Sequence, residues 1–428
     1  MSAQSRLSHS LRRTVKCVRV SCLRAAFVAA VLISLLLPRG DRLHLTNADV
    51  AAQGHRYGLV SWEAANFPAK WLHRLYTMMP WNDTSAARRR AELDEFLVIA
   101  ERIQEAQGRL ADALSADTPD STVIASAQQE LDSLYGERNR VRDGVEEYLE
   151  SALSDVLVDV GLNAAGSFIW PPVDFRLDET PNVLIASPRD HIERTGAVLL
   201  AARVPASEML RIESRLAEER GLSAIVEATG GVATFPTVIA SDGDLSYLLE
   251  VAAHEWLHSY LFFHGLGQSY ESSGELLTLN ETLADIAGRE LGGMAYSRLT
   301  GKPAPELLRP QAATPPAAGE FSFFAFMRET RVHTEELLAS GEIDAAEAYM
   351  EARRQELNGR GYRIRKINQA YFAFHGSYGE SGSSISPIAD ELSELRALSE
   401  DVADFVGLVR GVRSYGRFQE ILASRRAG

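Results

Sequence analysis

A pair of histidines four residues apart in an otherwise apolar stretch limits the folds and functions that are open to this chain. The stretch VAAHEWLHSY runs from Val251 to Tyr260, and its imidazole and carboxylate side chains are those of His254, Glu255 and His258. Residues four apart lie on the same face of a helix, so the two imidazoles can point at one ion. Because burying polar groups is costly unless they have partners, the pattern predicts a buried helix with a metal site.

The donor set suits one zinc ion. Two neutral histidines leave a position for water, and Glu255 is close enough to take the proton of that water. A second predicted helix, residues 279 to 286, carries Glu281 and Asp285 four residues apart. Glu281 would complete a site of two histidines and one glutamate, and Asp285 would accept the spare ring N–H of a ligand. A buried helix with two hydrogen-bonded histidines and no ion is the alternative.

Residues 223 to 295 resemble the gluzincin zinc peptidases. The motif HEWLH is followed about twenty residues later by NETLAD, which matches the HExxH and NExxxD pattern of that family. The chain has no Gly-x-Met-Glu-Asn segment of the kind that marks the alanyl-aminopeptidase branch. The resemblance implies a hydrolase of peptide or protein substrates. The implied roles are zinc ligand for His254, His258 and Glu281, general base for Glu255, and support of the ligands for Asn280 and Asp285.

The resemblance also implies a place for the substrate backbone. In gluzincins the strand before the zinc helix is an edge to which the substrate adds as a further strand. Residues 230–239 are predicted to form one strand here, and Pro236 places it at an edge or at its end because proline cannot donate to a ladder. The candidate binding residues are Gly231, Val232, Ala233 and Thr234. A glycine-loosened edge without a substrate is the alternative.

Gluzincins stabilise the oxyanion of the reaction with a downstream histidine or tyrosine. His375 and Tyr378 follow an aromatic run in a glycine-containing segment and are the main candidates by this resemblance. Tyr371, Arg331 and His333 are weaker candidates. The alternative is that the aromatic run belongs to the hydrophobic core.

The N-terminal segment resembles an export signal. Six Arg and Lys side chains between residues 6 and 24 precede the uncharged run AAFVAAVLISLLL at 25–37. The run is shorter than the ~20 residues that span a bilayer comfortably, and its length suits the core of a signal peptide. We expect an uncleaved signal that anchors the chain in the cell membrane as a single-pass protein with its body outside the cytoplasm. Secretion after cleavage and a buried helix of a cytosolic protein are the alternatives.

Composition narrows the classes of partner. The net charge of −14, without a basic stripe beyond the N-terminus, argues against nucleic acid as the main partner. Both cysteines, Cys17 and Cys22, precede residue 25, so the body has neither disulfide nor thiolate ligand. The predicted partners are a peptide or protein substrate and, through the N-terminal segment, a membrane.

The pattern of apolar residues predicts a helix-rich α+β fold. We expect a small mixed sheet whose edge strand packs on the helix of the metal site, with a helical hairpin before it and a helical lobe after it. The expected segments are a signal or anchor (1–40), an aromatic segment suited to a membrane interface or to packing on the body (41–83), the hairpin (84–162), the catalytic part (163–300) and a proline-rich loop with the helical lobe (301–428).

Two classes of function follow from these predictions. The first is a membrane-tethered zinc metallopeptidase in which Glu255 is the base. The second is a tethered interaction protein whose zinc site is structural or vestigial and whose helical hairpin binds the partner. The intact Glu255 favours the first, because a structural zinc site has no need of a base beside its ligands.

Overall fold

Helices make up most of the structure, a computed structural model that describes residues 46–77, 79, 85–115, 121–305 and 321–427. Residues Asn47–Gly428 form one compact unit. In chain order the helices are α1 (Asn47–Ala51), α2 (Leu59–Thr77), α3 (Ala86–Ser115), α4 (Ser121–Asp159), α5 (Ala206–Arg220), α6 (Leu245–Leu261), α7 (Gly265–Gln268), α8 (Gly274–Thr300), α9 (Phe323–Ala339), α10 (Ile343–Gly359), α11 (Gln369–His375), α12 (Ile388–Ala397), α13 (Val402–Val409) and α14 (Tyr415–Ala427).

The strands of these described residues are β1 (Phe175–Asp178), β2 (Asn182–Pro188), β3 (Gly196–Leu200), β4 (Leu222–Ala228), β5 (Gly231–Val232) and β6 (Thr237–Ala240). They form two three-stranded sheets. The first has the order β3-β2-β4 with antiparallel neighbours, and the second has the order β1-β6-β5, in which β1 is parallel and β5 antiparallel to β6. The structure confirms the prediction of a helix-rich α+β fold with a small mixed sheet.

The stretch 230–239 does not form one strand. It folds back on itself, so that Gly231 pairs with Ile239 and Val232 with Val238. Pro236 lies in the turn, where its missing N–H breaks no ladder. The prediction of an edge holds for β5, whereas β6 is the central strand of its sheet.

The largest hydrophobic core surrounds α6 and α8. Leu248, Leu257, Leu283 and Leu291 of these helices are fully or almost fully buried there. Helix α4 and helices α12 and α13 pack around the pair. The predicted hairpin at 84–162 corresponds to α3 and α4, which run antiparallel, with the Arg109 guanidinium 2.9 Å from the Glu130 carboxylate. The surrounding helices pack against α6 and α8 on several sides. The side chains between α6 and α8 therefore have little room to move.

Helix α2 packs on the body through both charged and aromatic side chains. Lys70 is 2% exposed, whereas Trp71 and Leu72 beside it are 46% and 67% exposed. The Lys70 ammonium lies 2.9 Å from the Glu146 carboxylate and 2.6 Å from that of Glu150, both on α4. The Trp62 indole donates to the carbonyl of Pro236 at 3.3 Å, and the rings of Phe67 and Phe235 are 5.6 Å apart. Of the two positions expected for this aromatic segment, the structure therefore shows packing on the body.

The same carboxylates close an edge of the second sheet. Glu150 accepts the backbone N–H of Phe175 and Glu146 that of Leu177, each at 2.8 Å. Strand β1 is an edge strand, so these bonds satisfy N–H groups that would otherwise be available to another chain. Lys70 shares the balancing of these two acids with Arg74 and Arg176. Although burial opposes the charge of Lys70, the neighbouring carboxylates raise its pKa.

The prediction of a single-pass membrane protein is corrected by the structure. Over the described ranges from residue 46 to 427, no helix combines the length and the apolarity needed to cross a bilayer. The predictions of a transmembrane helix and of a signal anchor are therefore wrong. The apolar run 25–37, from which they were inferred, lies outside the described residues.

The buried lysine gives a test of the fold. Replacing Lys70 with alanine removes the cation that contacts both Glu146 and Glu150, while Arg176 stays 3.4 Å from Glu146 and Arg74 stays 2.9 Å from Glu150. We therefore expect the free energy of unfolding to fall by about 3 kcal/mol, the lower end of the range for a broken buried pair. The matched control is Leu72→Ala, two positions along the same helix and exposed, for which we expect a change within about 0.5 kcal/mol. Urea unfolding followed by circular dichroism measures both. Equal stability of the two variants would contradict the proposed role of Lys70.

Candidate metal centre

Helix α6 begins at a capped N-terminus and carries both histidines on one face. The Asp244 side chain accepts the N–H of Tyr247 at 2.9 Å, as an N-cap should. From there the helix is buried on most sides, and His254 and His258 lie one turn apart. This confirms the predicted helix.

Helix α8 approaches α6 closely because two glycines face it. A Cβ atom on Gly288 would lie 2.9 Å from the backbone N and Cα of His254, and one on Gly292 would lie 2.7 Å from those of Glu250. Both separations are shorter than side chains tolerate, so any larger residue would push the helices apart. Glu281 and Asp285 precede the glycines along the same helix, at the spacing that places them on the face towards α6.

The three predicted ligands meet at one point. The Nε2 atoms of His254 and His258 are 2.9 Å apart, and the Glu281 Oε2 atom lies 3.7 Å from the first and 3.4 Å from the second. Among the described residues this is the one group of three His, Cys, Asp or Glu side chains with ligand atoms close enough to hold a metal ion. Tetrahedral zinc with bonds of about 2.0 Å separates its ligand atoms by about 3.3 Å, so the triangle fits zinc.

A second residue holds each ligand by its other polar atom. The Nδ1 atom of His254 lies 3.0 Å from the Asp285 carboxylate, and that of His258 lies 2.9 Å from the Asn280 side-chain oxygen. Both oxygens are acceptors, so each ring carries its proton on Nδ1 and turns the lone pair of Nε2 towards the other ligands. The remaining oxygen of Glu281 accepts the hydroxyl of Tyr270. Three electron pairs therefore converge with no donor between them, an arrangement that a cation satisfies.

The charges around the site attract positive charge. Burial opposes the charge of His254, but its hydrogen bond to Asp285 and the nearby carboxylates outweigh this and raise its pKa to about 10. Burial likewise opposes the charge of Glu281, but the two imidazoles and the Tyr270 hydroxyl lower its pKa to about 2. A zinc ion would compete with protons for these ligand atoms.

Glu255 is buried beside the three ligand atoms. Its side chain is 7% exposed, and burial raises the pKa of its carboxyl despite the neighbouring imidazoles. The backbone of β5 lies against it: a Cβ atom on Gly231 would come within 2.8 Å of its Oε1 atom. The base candidate and the candidate substrate strand are therefore direct neighbours, and only a glycine fits at position 231 without displacing the carboxylate.

The site opens into a cleft with a volume of about 910 Å³. Its lining includes β5 with its flanking residues, from Gly230 to Ala233, and also Phe374, His375 and Tyr378. Thr234, the fourth predicted substrate residue, does not line the cleft; it is buried, and its hydroxyl donates to the carbonyl of Pro236 at 2.7 Å.

Comparisons with known proteins gave no match. No family model, no curated protein and no solved structure is similar to this chain.

The structure brings both main oxyanion candidates to the cleft. Tyr378 lines it, and burial together with the charges of Glu281 and Asp285 raises the pKa of its hydroxyl well above the usual range, so the hydroxyl keeps its proton. Burial lowers the pKa of His375 to about 4, so its ring is neutral. Both side chains can donate a hydrogen bond at neutral pH.

The weaker candidates lie elsewhere. Tyr371 is buried in the core beneath the first sheet, the Arg331 guanidinium binds Glu335 at 2.9 Å, and His333 is exposed beside Glu336. Glu275, which precedes Glu281 on the same helix, is exposed in the first turn, away from the group of ligands.

Sequence reasoning missed two residues of the cleft, Tyr270 and Arg194. Tyr270 lies in the connection between α7 and α8, and Arg194 lies between β2 and β3 and lines the same cleft. Neither position belongs to a periodic pattern. The sequence signal is that Tyr270 is one of four Tyr and Phe residues between HEWLH and NETLAD, which is too weak to predict a contact with Glu281.

The close helix contact gives a test of the site. In Gly288→Ala the new methyl group meets the His254 backbone, so we expect a loss of about 1–3 kcal/mol in stability and weaker zinc binding. Gly293→Ala is the matched control because a Cβ there meets only Ala304, at 3.4 Å. A glycine inside a helix costs roughly 0.5–1 kcal/mol relative to alanine, so the control should be at least as stable as the parent.

Urea unfolding and zinc titration of both variants separate a packing effect from a general effect of alanine. If Gly288→Ala matched Gly293→Ala in stability and in zinc affinity, the distance between α6 and α8 would not control the site.

Proposed function

We propose that this chain is a zinc-dependent metallopeptidase of the gluzincin type that hydrolyses peptide bonds. The observation that carries the proposal is the convergence of His254, His258 and Glu281 with no hydrogen-bond donor between them, while Glu255 lies next to them at an open cleft. A structural zinc site is closed by a fourth protein ligand, whereas a catalytic one keeps a position open.

The zinc ion that these ligands would hold supplies Lewis acidity, which polarises the substrate carbonyl and acidifies water. Glu255 takes the proton of the attacking water and then gives it to the leaving amine. Burial raises the pKa of this carboxyl above that of an exposed glutamate, which makes it a better proton acceptor. Its burial keeps bulk water from competing for the proton.

Strand β5 is the proposed guide for the substrate backbone. It pairs with β6 on one side and has no strand partner on the other within the part of the chain that the structure describes. Gly231 brings this open edge against Glu255. A substrate added as a further strand would place its peptide carbonyl near the base and the ligands.

Two tyrosines take different roles in this proposal. Tyr270 donates its hydroxyl to Glu281, so it positions a ligand. Tyr378 lines the cleft near the charges of Glu281 and Asp285 and keeps its proton, so it is the proposed donor to the oxyanion. His375 is the second candidate for that donor.

The base gives the main test of activity. In Glu255→Gln the side chain keeps its shape but cannot take a proton, so we expect peptide cleavage to fall by about 10²–10⁴-fold while zinc stoichiometry stays at one ion per chain. A peptide library analysed by mass spectrometry measures cleavage, and metal analysis of the same samples measures zinc.

Full zinc occupancy in the parent together with no cleavage that depends on Glu255 would contradict the peptidase proposal. That result would favour the alternative of an interaction protein with a structural or vestigial zinc site.

The two tyrosines provide a paired test of their roles. Tyr378→Phe removes the proposed donor to the oxyanion, so we expect kcat to fall by about 10²–10³-fold with unchanged zinc affinity. Tyr270→Phe removes the hydrogen bond to Glu281, so we expect zinc to bind about 10–100-fold more weakly. Steady-state kinetics at saturating zinc and competition with a zinc chelator measure the two effects. Equal effects of both variants on zinc affinity would reject the division of roles.

A further inference from the structure

Four aromatic side chains form an exposed patch that continues from the cleft. The aromatic patch consists of Phe168, Trp170, Phe262 and Phe263, which are 59%, 50%, 60% and 46% exposed. Phe262 and Phe263 rings are 5.3 Å apart, Phe263 and Trp170 rings 5.7 Å, and Trp170 and Phe168 rings 6.4 Å. Isolated exposed aromatic residues are common, but a contiguous exposed apolar patch on a soluble surface marks an interaction site.

The patch is connected to the site by helix α6. Phe262 is four residues beyond His258, so it lies on the same face one turn further on, and it lines the cleft together with His258. A segment leaving the metal centre along this face meets the Phe262 ring first. The other three rings follow within contact distance of one another, over a length that roughly five residues of an extended chain would cover at ~3.3 Å per residue.

The backbone that carries these rings is held in place. The Trp256 indole donates to the carbonyl of Pro171 at 2.9 Å, and the backbone N–H of Phe168 donates to the carbonyl of Ala165 at 2.8 Å. Ile169, between Phe168 and Trp170, is 8% exposed and packs in the main core. The aromatic rings are therefore exposed on a fixed frame, and binding a partner would not require this loop to become ordered first.

The composition of the patch indicates the class of partner. Its two segments, residues 164–171 and 261–263, contain no charged side chain. Exposed aromatic rings bind apolar and aromatic side chains by burying area and by ring contacts. A charged partner would gain no ion pair within these segments.

We propose that the aromatic patch is an extended binding site for the substrate, which selects unfolded polypeptide segments rich in aromatic and aliphatic side chains. The proposal rests on the proposed peptidase function and adds its substrate class. The occupant is the part of the substrate that continues beyond the cleft past Phe262, because the patch and the cleft share that residue.

The test measures binding without cleavage. The zinc-loaded full chain carrying Glu255→Gln is titrated with two fluorescein-labelled twelve-residue peptides, one containing a run of Phe and Leu and one in which Ser and Gly replace that run. Fluorescence anisotropy gives the Kd. We expect the apolar peptide to bind more tightly, and the added pair Trp170→Ser and Phe263→Ser to weaken its binding by about tenfold with little effect on the polar peptide.

The matched control is the pair Trp71→Ser and Leu72→Ser, which removes two exposed apolar side chains of α2 that do not line the cleft. We expect this pair to leave both Kd values unchanged. Circular dichroism of each variant verifies the fold. The inference is overturned if the patch variant binds the apolar peptide as tightly as the control pair does. It is also overturned if none of the chains, including the one that carries Glu255→Gln alone, binds that peptide.

Other occupants give different results. If the parent chain is a dimer in sedimentation and the patch variant is a monomer, the patch binds a second copy of the chain. If the parent binds phosphatidylcholine vesicles and the patch variant does not, the patch binds lipid. Either result overturns the inference. Cleavage by the parent chain is measured separately. Binding that depends on the patch without any cleavage would reject the peptidase proposal alone, and cleavage with no role of the patch in binding would reject this inference alone.

Discussion

Three electron pairs facing one another inside a packed protein need a positive charge between them. The Nε2 atoms of His254 and His258 and one oxygen of Glu281 are in that position, because the other polar atom of each side chain is already bonded. Buried acceptors without a donor are costly, so the arrangement is stable only when protons or a cation occupy it. The raised pKa of His254 shows how strongly the surroundings attract that charge.

The rest of the fold brings these groups together and keeps the approach open. Gly288 and Gly292 allow two helices to approach more closely than larger side chains would permit. Gly231 brings an edge strand to the side chain of Glu255. On the far side of the same sheet, β1 is closed by Glu146 and Glu150, so β5 is the edge that remains open towards the cleft. The small sheet thus offers its backbone to a partner on one side only.

The parts that could be predicted from the sequence are those with a fixed spacing. His254 and His258 on one helix, and Glu281 and Asp285 on the next, occupy positions that the period of a helix places on one face. The close approach of the two helices could be expected only in general terms, since from the sequence Gly288 and Gly292 could equally be glycines that only lower the helix propensity of their segment. The contact between Tyr270 and Glu281 depends on the path of an irregular connection, and no local pattern encodes such a path.

Two features depend on contacts between residues far apart in the sequence. The prediction of one strand over residues 230–239 was wrong because a turn divides them: β6 pairs with β1, about 60 residues earlier in the chain, and β5 folds back on β6. For helix α2 the sequence left two positions open, a membrane interface and packing on the body. Its packing on the body depends on Glu146 and Glu150, about 80 residues further along the chain, which surround the Lys70 ammonium with negative charge. Local patterns do not show such long-range partners.

X-ray absorption spectroscopy at the zinc edge of the purified, zinc-loaded chain tests the metal site most directly. We expect one zinc ion per chain, with two imidazole nitrogens at about 2.0–2.1 Å, oxygen in the remaining positions and loss of one oxygen ligand from the protein in Glu281→Gln. A chain that does not retain zinc, or a spectrum with fewer than two imidazole ligands, would contradict the proposal that His254, His258 and Glu281 hold one metal ion.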